Sequence, residues 1–399
     1  ITGDLSGNTA TIYASMLTPG FAGPFSDQLE LRTVVERETT GDFRIMNPGT
    51  GKLRVELTPS AAWLAVTPAE ALIAPGEDAP FYATATCDAP GQRVGYIDIT
   101  SNASNTIETV EVTLDCLSEV VSDFEITLGF FGDIAPTTAQ RAVFERAAAR
   151  WAEVIVGDLP DLEGLELDEG TYCRPHNPPA LYGDLDDLHI WVKLEPIDGP
   201  SGVLGMAGPC VLRSPTDNNL PAVGVMIFDI DDFDMMEERG ILEATILHEM
   251  GHVLGIGTLW ELANTEWTHV FQDFIDPAGQ KCNADNLFAD NRYNGALAGF
   301  HHAAAGGTGK PRVENVGGPG TACAHWHEEA YINELMTGWI GYSGNHLSAI
   351  TIGSLADLGY EVEYALADPY TVPLPGALRT QSAGMHLHEA LIFPDTLLD

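Results

Sequence analysis

Two histidines four residues apart, His248 and His252, flank a glutamate, Glu249, in the run Glu243-Ala-Thr-Ile-Leu-His248-Glu-Met-Gly-His252-Val-Leu-Gly255. The spacing predicts a helix over 241–254 with both imidazoles on one face, about one turn apart. Two ring nitrogens so placed can reach one tetrahedral zinc, and the neighbouring Glu249 can take a proton from a water that the metal makes acidic. Ile246, Leu247, Met250, Val253 and Leu254 supply the apolar side of a core helix. A solvated surface helix would not carry apolar neighbours on both sides of the polar trio. Gly255 follows His252 by three residues, where a glycine ends a helix and lets the chain turn sharply.

Around this helix the chain reads as two unlike parts. Residues 1–118 predict an immunoglobulin-like β-sandwich. Alternating runs occur at Lys52–Leu57, Phe81–Thr86, Gly95–Thr100 and Thr109–Leu114, separated by turn formers such as Asn47-Pro-Gly-Thr-Gly51. A polar linker follows at 117–123. Residues 123–365 mix strands and helices, which predicts an α+β domain. Strands are expected at Phe124–Phe130, Leu188–Leu194, Val203–Ala207 and Val223–Phe228. One helix is capped at Thr137 or Thr138, and another runs from Ser348 to Leu358 and stops at Gly359. Residues 258–345 read as a loop-rich subdomain. The proline-bearing stretch 366–399 is expected to pack on the second domain as a surface wrapping.

The chain has 18 basic and 58 acidic side chains, for a formal charge of −40. That balance excludes nucleic acid as a natural partner and opposes charge-driven binding to anionic membranes. No apolar run is long enough for a membrane-spanning helix. The first residue is Ile1 and no export signal is legible, so a mature or trimmed form is expected. Six cysteines, none in a CxxC, predict disulfides formed in an oxidising compartment. Taken in order, the pairs are Cys87–Cys116, Cys173–Cys210 and Cys282–Cys323.

Later residues bear on the site. Gly318-Pro-Gly-Thr-Ala-Cys-Ala-His325-Trp326 precedes Asn333-Glu-Leu-Met336-Thr-Gly338. HExxHxxG, a long insertion, a His-Trp pair and a Glu-Leu-Met turn together resemble leishmanolysin-type metzincin peptidases, here of the bacterial kind. Leu204-Gly-Met-Ala-Gly-Pro209, Gly224-Val-Met-Ile-Phe-Asp229, Gly257-Thr-Leu-Trp260 and Val313–Thr321 extend the resemblance over about 123–365. Commoner metzincins place a third histidine where this chain has Thr258. The resemblance implies instead that zinc is held by His248, His252 and His325, with Met336 beneath the metal and Glu249 as general base. His327 is the rival third ligand; His301, His302, His386 and His388 are expected bystanders. It also implies that Val203–Ala207 is an edge strand to which an extended protein or peptide substrate adds antiparallel. The segments Asn47–Leu53, Trp63–Pro68, Ala74–Glu77 and Ile99–Asn102 resemble BACON-type modules, add-ons of secreted enzymes. The function so implied is a secreted, zinc-dependent endopeptidase that hydrolyses peptide bonds by a Glu-activated zinc-bound water. The alternative is an extracellular structural protein that keeps a peptidase fold as scaffold. The acidic run Asp229-Ile-Asp231-Asp232-Phe-Asp234 reads as well as a helix cap as it does a calcium site.

Overall fold

The computed structural model of the chain describes residues 20–21, 28–35, 38–103, 107–117, 122–260, 291–318, 320–341, 344–373 and 384–398. Two compact units divide the chain, Ile1–Ser118 and Glu119–Asp399. In the first, eight strands are described: β1 Gln28–Val34, β2 Glu38–Met46, β3 Leu53–Pro59, β4 Leu64–Thr67, β5 Glu70–Ile73, β6 Asp78–Thr86, β7 Gly91–Ser101 and β8 Glu108–Leu117. They form a five-stranded sheet, β1-β8-β7-β3-β5, and a three-stranded sheet, β2-β6-β4. Leu53, Val55 and Leu57 of β3 point inward in alternation and meet Phe43, Ile45, Phe81, Ile97, Val110 and Val112 in a shared core. That is the period-two pattern of a sheet with one buried face. The four runs picked out by alternation lie in β3, β6, β7 and β8.

The expected Cys87–Cys116 bridge is corrected. The structure holds both as buried free thiols, hydrogen-bonded to each other. Burial, reinforced by Cys116, pushes the Cys87 thiol up to about 12.

The second unit centres on a six-stranded sheet built from β9 Ile126–Phe131, β12 Leu188–Glu195, β13 Val203–Leu212, β14 Pro221–Asp229, β17 His388–Leu391 and β18 Thr396–Leu397. A separate hairpin pairs β10 Leu162–Leu167 with β11 Leu181–Leu185. A short ladder pairs β15 Trp339–Gly341 with β16 Gly384–His386. The helices are α1 Thr138–Val154, α2 Ile230–Glu238, α3 Leu242–Val253, α4 Ala296–Ala304, α5 Glu328–Tyr331 and α6 Ala349–Leu358. In the main sheet β12 lies between β9 and β14, parallel to both, and β13 returns antiparallel to β14. Every residue of β14 is buried, as expected of a strand covered on both faces.

Local signals set several helix ends. Thr137 caps α1 in a reciprocal pair with Gln140, Ser348 caps α6, and Gly359 ends α6 in the left-handed conformation. Asp229 accepts N–H groups from Ile197, Asp198, Gly199 and Asp231, so the acidic run serves as a loop clamp and helix cap. Trp151 of α1 is fully buried and donates from its indole to the Leu247 carbonyl at 2.9 Å, which fixes α1 against α3.

Two expectations need correction here. His301 and His302 lie on helix α4 rather than in a loop, because the alanines around them favour helix where the surrounding glycines suggested irregular chain. And 384–398 packs on the second domain as expected, but as strands of the main sheet along β13 and not as a surface wrapping. Among the described residues Cys173–Cys210 is bridged. Cys323 is also disulfide-bonded, and Cys282, its expected partner, lies outside the described residues.

One consequence is testable by pH. The His301 ring stacks on Tyr364 with centroids 4.0 Å apart, and burial lowers its pKa to about 4. The unfolded state therefore takes up this proton at a higher pH, near 6.5, than the folded state does. The sign follows: His301 favours the fold fully above about pH 6.5, and that contribution is lost as the pH falls towards about 4. His301→Phe is expected to flatten the fall of stability across that window by up to about 1.4 kcal/mol per pH unit, read from denaturant unfolding at several pH values. Parallel curves for the two proteins would refute it.

Candidate metal centre

Helix α3 sets two of the three predicted imidazoles. His248 and His252 are fully buried, with Nε2 atoms 3.0 Å apart. The helix ends after His252, and Gly255, at φ +108°, turns the chain away. Thr258, which stands where commoner metzincins carry a third histidine, donates its hydroxyl to the His252 carbonyl at 2.7 Å. It braces the turn and reaches no ligand position.

His325 comes from a loop held on both sides. Its carbonyl accepts from Glu314 N at 2.8 Å, and the next N–H, of Trp326, donates to Met336 O at 2.9 Å. Trp326 is fully buried against Trp260 and Tyr293, and its indole donates to Thr351 of α6 at 2.8 Å. This places His325 Nε2 at 3.1 Å from His248 Nε2 and 3.0 Å from His252 Nε2. His327, two residues on, is absent from the cluster: it precedes α5 as its cap residue.

Met336 lies under α3. A Cβ on Gly251 would sit 2.7 Å from the Met336 sulfur, so only glycine at that position admits the close approach. The loop is fixed from below by Glu334, a buried carboxylate. It accepts from Met336 N at 2.6 Å and from the hydroxyls of Ser348 at 2.7 Å and of Thr351. Burial pushes this carboxyl up to about 7, against the pull of those donors.

The hydrogen bonds of the three rings decide what the cluster can hold. His248 Nδ1 pairs with Leu335 O at 2.7 Å, His252 Nδ1 with Ile256 O at 2.8 Å and His325 Nδ1 with Thr321 O at 2.9 Å. A carbonyl can only accept, so each Nδ1 carries the proton and each neutral ring turns an Nε2 lone pair inward. Three lone pairs facing one another in a dry interior repel unless a cation lies between them. Ligands about 2.05 Å from a tetrahedral zinc are about 3.3 Å apart, close to the spacing of these nitrogens. The residues present therefore fit a zinc ion.

A fourth donor joins them that the sequence reading did not identify. Glu389, fully buried at its side chain, sets Oε1 2.8 Å from His325 Nε2, and Oε2 3.2 Å from His248 Nε2 and 3.3 Å from His252 Nε2. Its neighbours His386 and His388 drew attention as histidines; the glutamate beside them carries no local signature.

Glu249 is also buried, and neither carboxylate oxygen has a hydrogen-bond partner in the protein. Burial, then the Glu389 charge, pushes this carboxyl well above its ordinary range. It lies against β13: a Cβ on Gly205 would be 2.9 Å from Oε1. A carboxyl that is orphaned, desolvated and next to a metal-ligand cluster has the setting of a general base.

Comparisons with known proteins agree with this geometry in one respect. No curated protein matches the chain. Solved structures match only weakly. The periplasmic chaperone SfaE is 6% identical at a TM-score of 0.22, over 24% of this chain and 58% of its own. A Porphyromonas gingivalis protein of unknown function is 18% identical at 0.21, over 27% and 50%. A PapD-like domain of human CEP192 is 11% identical at 0.21, over 29% and 98%. The chain thus spans about half the length of the first two, and likenesses at this level carry no argument. The family comparison is of another kind: residues 181–372 match the model of leishmanolysin, and they include α3, the His325 loop and the Met336 turn. Over these residues, just under half of the chain, the second unit is similar to the leishmanolysin family of metallopeptidases.

Proposed function

We propose that the chain is a secreted zinc endopeptidase acting on protein or peptide in extended conformation. The observation that carries the reading is the convergence of three Nε2 atoms within 3.0–3.1 Å, each ring proton being given to a main-chain carbonyl. His248, His252 and His325 would hold the zinc, which supplies a Lewis acid that polarises a peptide carbonyl and acidifies a water. Glu249 would serve as the general base, taking a proton from the attacking water and giving it to the leaving amine. Burial suits the task, because a carboxylate without other hydrogen-bond partners is a stronger base. The expected edge strand, β13, pairs with β14 on one side and with β17 and β18 on the other, so an extended substrate would be held along it only in place of β17. Secretion is supported by the Cys173–Cys210 bridge; among the described residues no helix is long and apolar enough to cross a membrane.

Metal analysis tests the ligand set. The purified protein is expected to carry one zinc per chain, and His325→Ala to lower zinc affinity by at least about 100-fold. Whatever digestion of a peptide library the zinc-loaded protein performs, a chelator should abolish it. Protein that binds no zinc, or a His325→Ala variant that binds it unchanged, would overturn the assignment.

A further inference from the structure

Resting on that reading, we propose that Gly384–Leu398 is an inhibitory strap built into the chain, which fills the substrate cleft and supplies Glu389 as a fourth protein ligand to the metal. The strap lies along β13, the strand expected to hold substrate. Val203 pairs with His388, Gly205 with Glu389, Met206 with Ala390 and Ala207 with Leu391, all parallel. Further on, Ile392 N donates to Ala207 O, Asp395 N to Cys210 O and Leu398 N to Leu212 O, at 2.9–3.0 Å. Its other side is held as well: Met385 and His386 pair with β15, and Leu387 N donates to Gly338 O at 3.0 Å. The hydrogen-bonding edge of β13 can serve one strand at a time, so a peptide cannot add there while the strap is in place.

The register puts the glutamate where it blocks most. Gly205 pairs with Glu389 and also lies against Glu249, so the strap crosses the cleft beside the general base. What it presents to the three imidazoles is a side-chain carboxylate and not a peptide carbonyl. The three Nε2 atoms stand 3.0–3.1 Å apart, and between them the two Glu389 oxygens come within 2.8–3.3 Å of all three, so the carboxylate closes the remaining side of the cluster. A metal with four protein ligands has no place for water or substrate, the closed arrangement of a structural site rather than the open one of a catalytic site.

Shape adds an independent sign that β13 is fitted to this segment. A Cβ on Gly208 would lie 1.8 Å from the Ile392 carbonyl oxygen, and its three nearest atoms all belong to Ile392. The anchor beyond is specific: the Asp395 carboxylate accepts the N–H groups of Cys173 and Arg174 at 3.2 and 3.0 Å and pairs with the Arg174 side chain.

The full chain, loaded in parallel with zinc and with cobalt(II), tests the strap. Glu389→Ala is expected to lose metal to a chelator about 10–100-fold faster, to change the visible spectrum of the cobalt form, and to cleave a quenched peptide mixture at least about tenfold faster because the cleft opens. Gly208→Ala keeps the carboxylate and pushes the strap out by one methyl group. It is expected to shift the cobalt spectrum the same way and to make 384–398 cleavable by an added protease, as read by mass spectrometry. If both variants match the unaltered protein in metal loss and cobalt spectrum, the strap is refuted while the peptidase reading stands. If the unaltered protein binds no metal, both fall together.

Discussion

Glu249→Gln should keep its zinc and lose nearly all peptide hydrolysis. The amide has almost the same shape but cannot take up a proton at neutral pH, and general-base catalysis is worth about 10²–10⁴-fold. The two oxygens of Glu249 have no hydrogen-bond partner in the protein, so the substitution breaks no structural contact that would confuse the result. The comparison belongs in the Glu389→Ala background, where the cleft is open, with zinc content measured on the same samples. Turnover within a few-fold of the Glu249 parent would show that another group moves the proton.

The second large effect is on stability. Glu334→Ala should cost about 3 kcal/mol, because the Met336 N–H and the Ser348 and Thr351 hydroxyls lose a common buried acceptor at once. Glu334→Gln retains one oxygen and should cost clearly less. Denaturant midpoints with constant slope would measure both. Zinc affinity should fall along with stability in the alanine variant, since Leu335, between Glu334 and Met336, gives its carbonyl to His248. A loss below about 0.5 kcal/mol would mean that the loop is held mainly by its apolar packing.

Where the structure could be read from sequence, the determinants were local. Helix α3 carries its periodicity and its ligands within twelve residues, and α6 is bracketed by Ser348 and Gly359. In the sandwich β3, β6, β7 and β8 were legible by alternation, whereas β1 and β2 were not picked out, although β2 alternates in burial from Gly41 to Met46. Strands β4 and β5, four residues each, are too short to show a period. His325 was found only through its resemblance to a family, because nothing in its own loop marks it as a ligand. Glu389 was not found at all: it stands 141 residues from His248, on a short strand whose partner is chosen by tertiary fit. Helix α4 was misread because glycine and alanine mixed together look irregular, although the alanines alone favour helix.

The carbonyls that receive the three ring protons belong to Ile256, Thr321 and Leu335, each on a different piece of chain. The turn after α3, the loop before Trp326 and the loop before Met336 must all be in place before any ring is aimed inward. Metal affinity is therefore a report on assembly: a chain with one of these pieces loose presents histidines of unfixed tautomer and binds weakly. Conversely, an ion bound at the centre ties these three segments together, and so favours their joint order. Zinc removal should then loosen all three at once, as seen by faster amide exchange at Ile256, Thr321 and Leu335 together, and not only at the ligands.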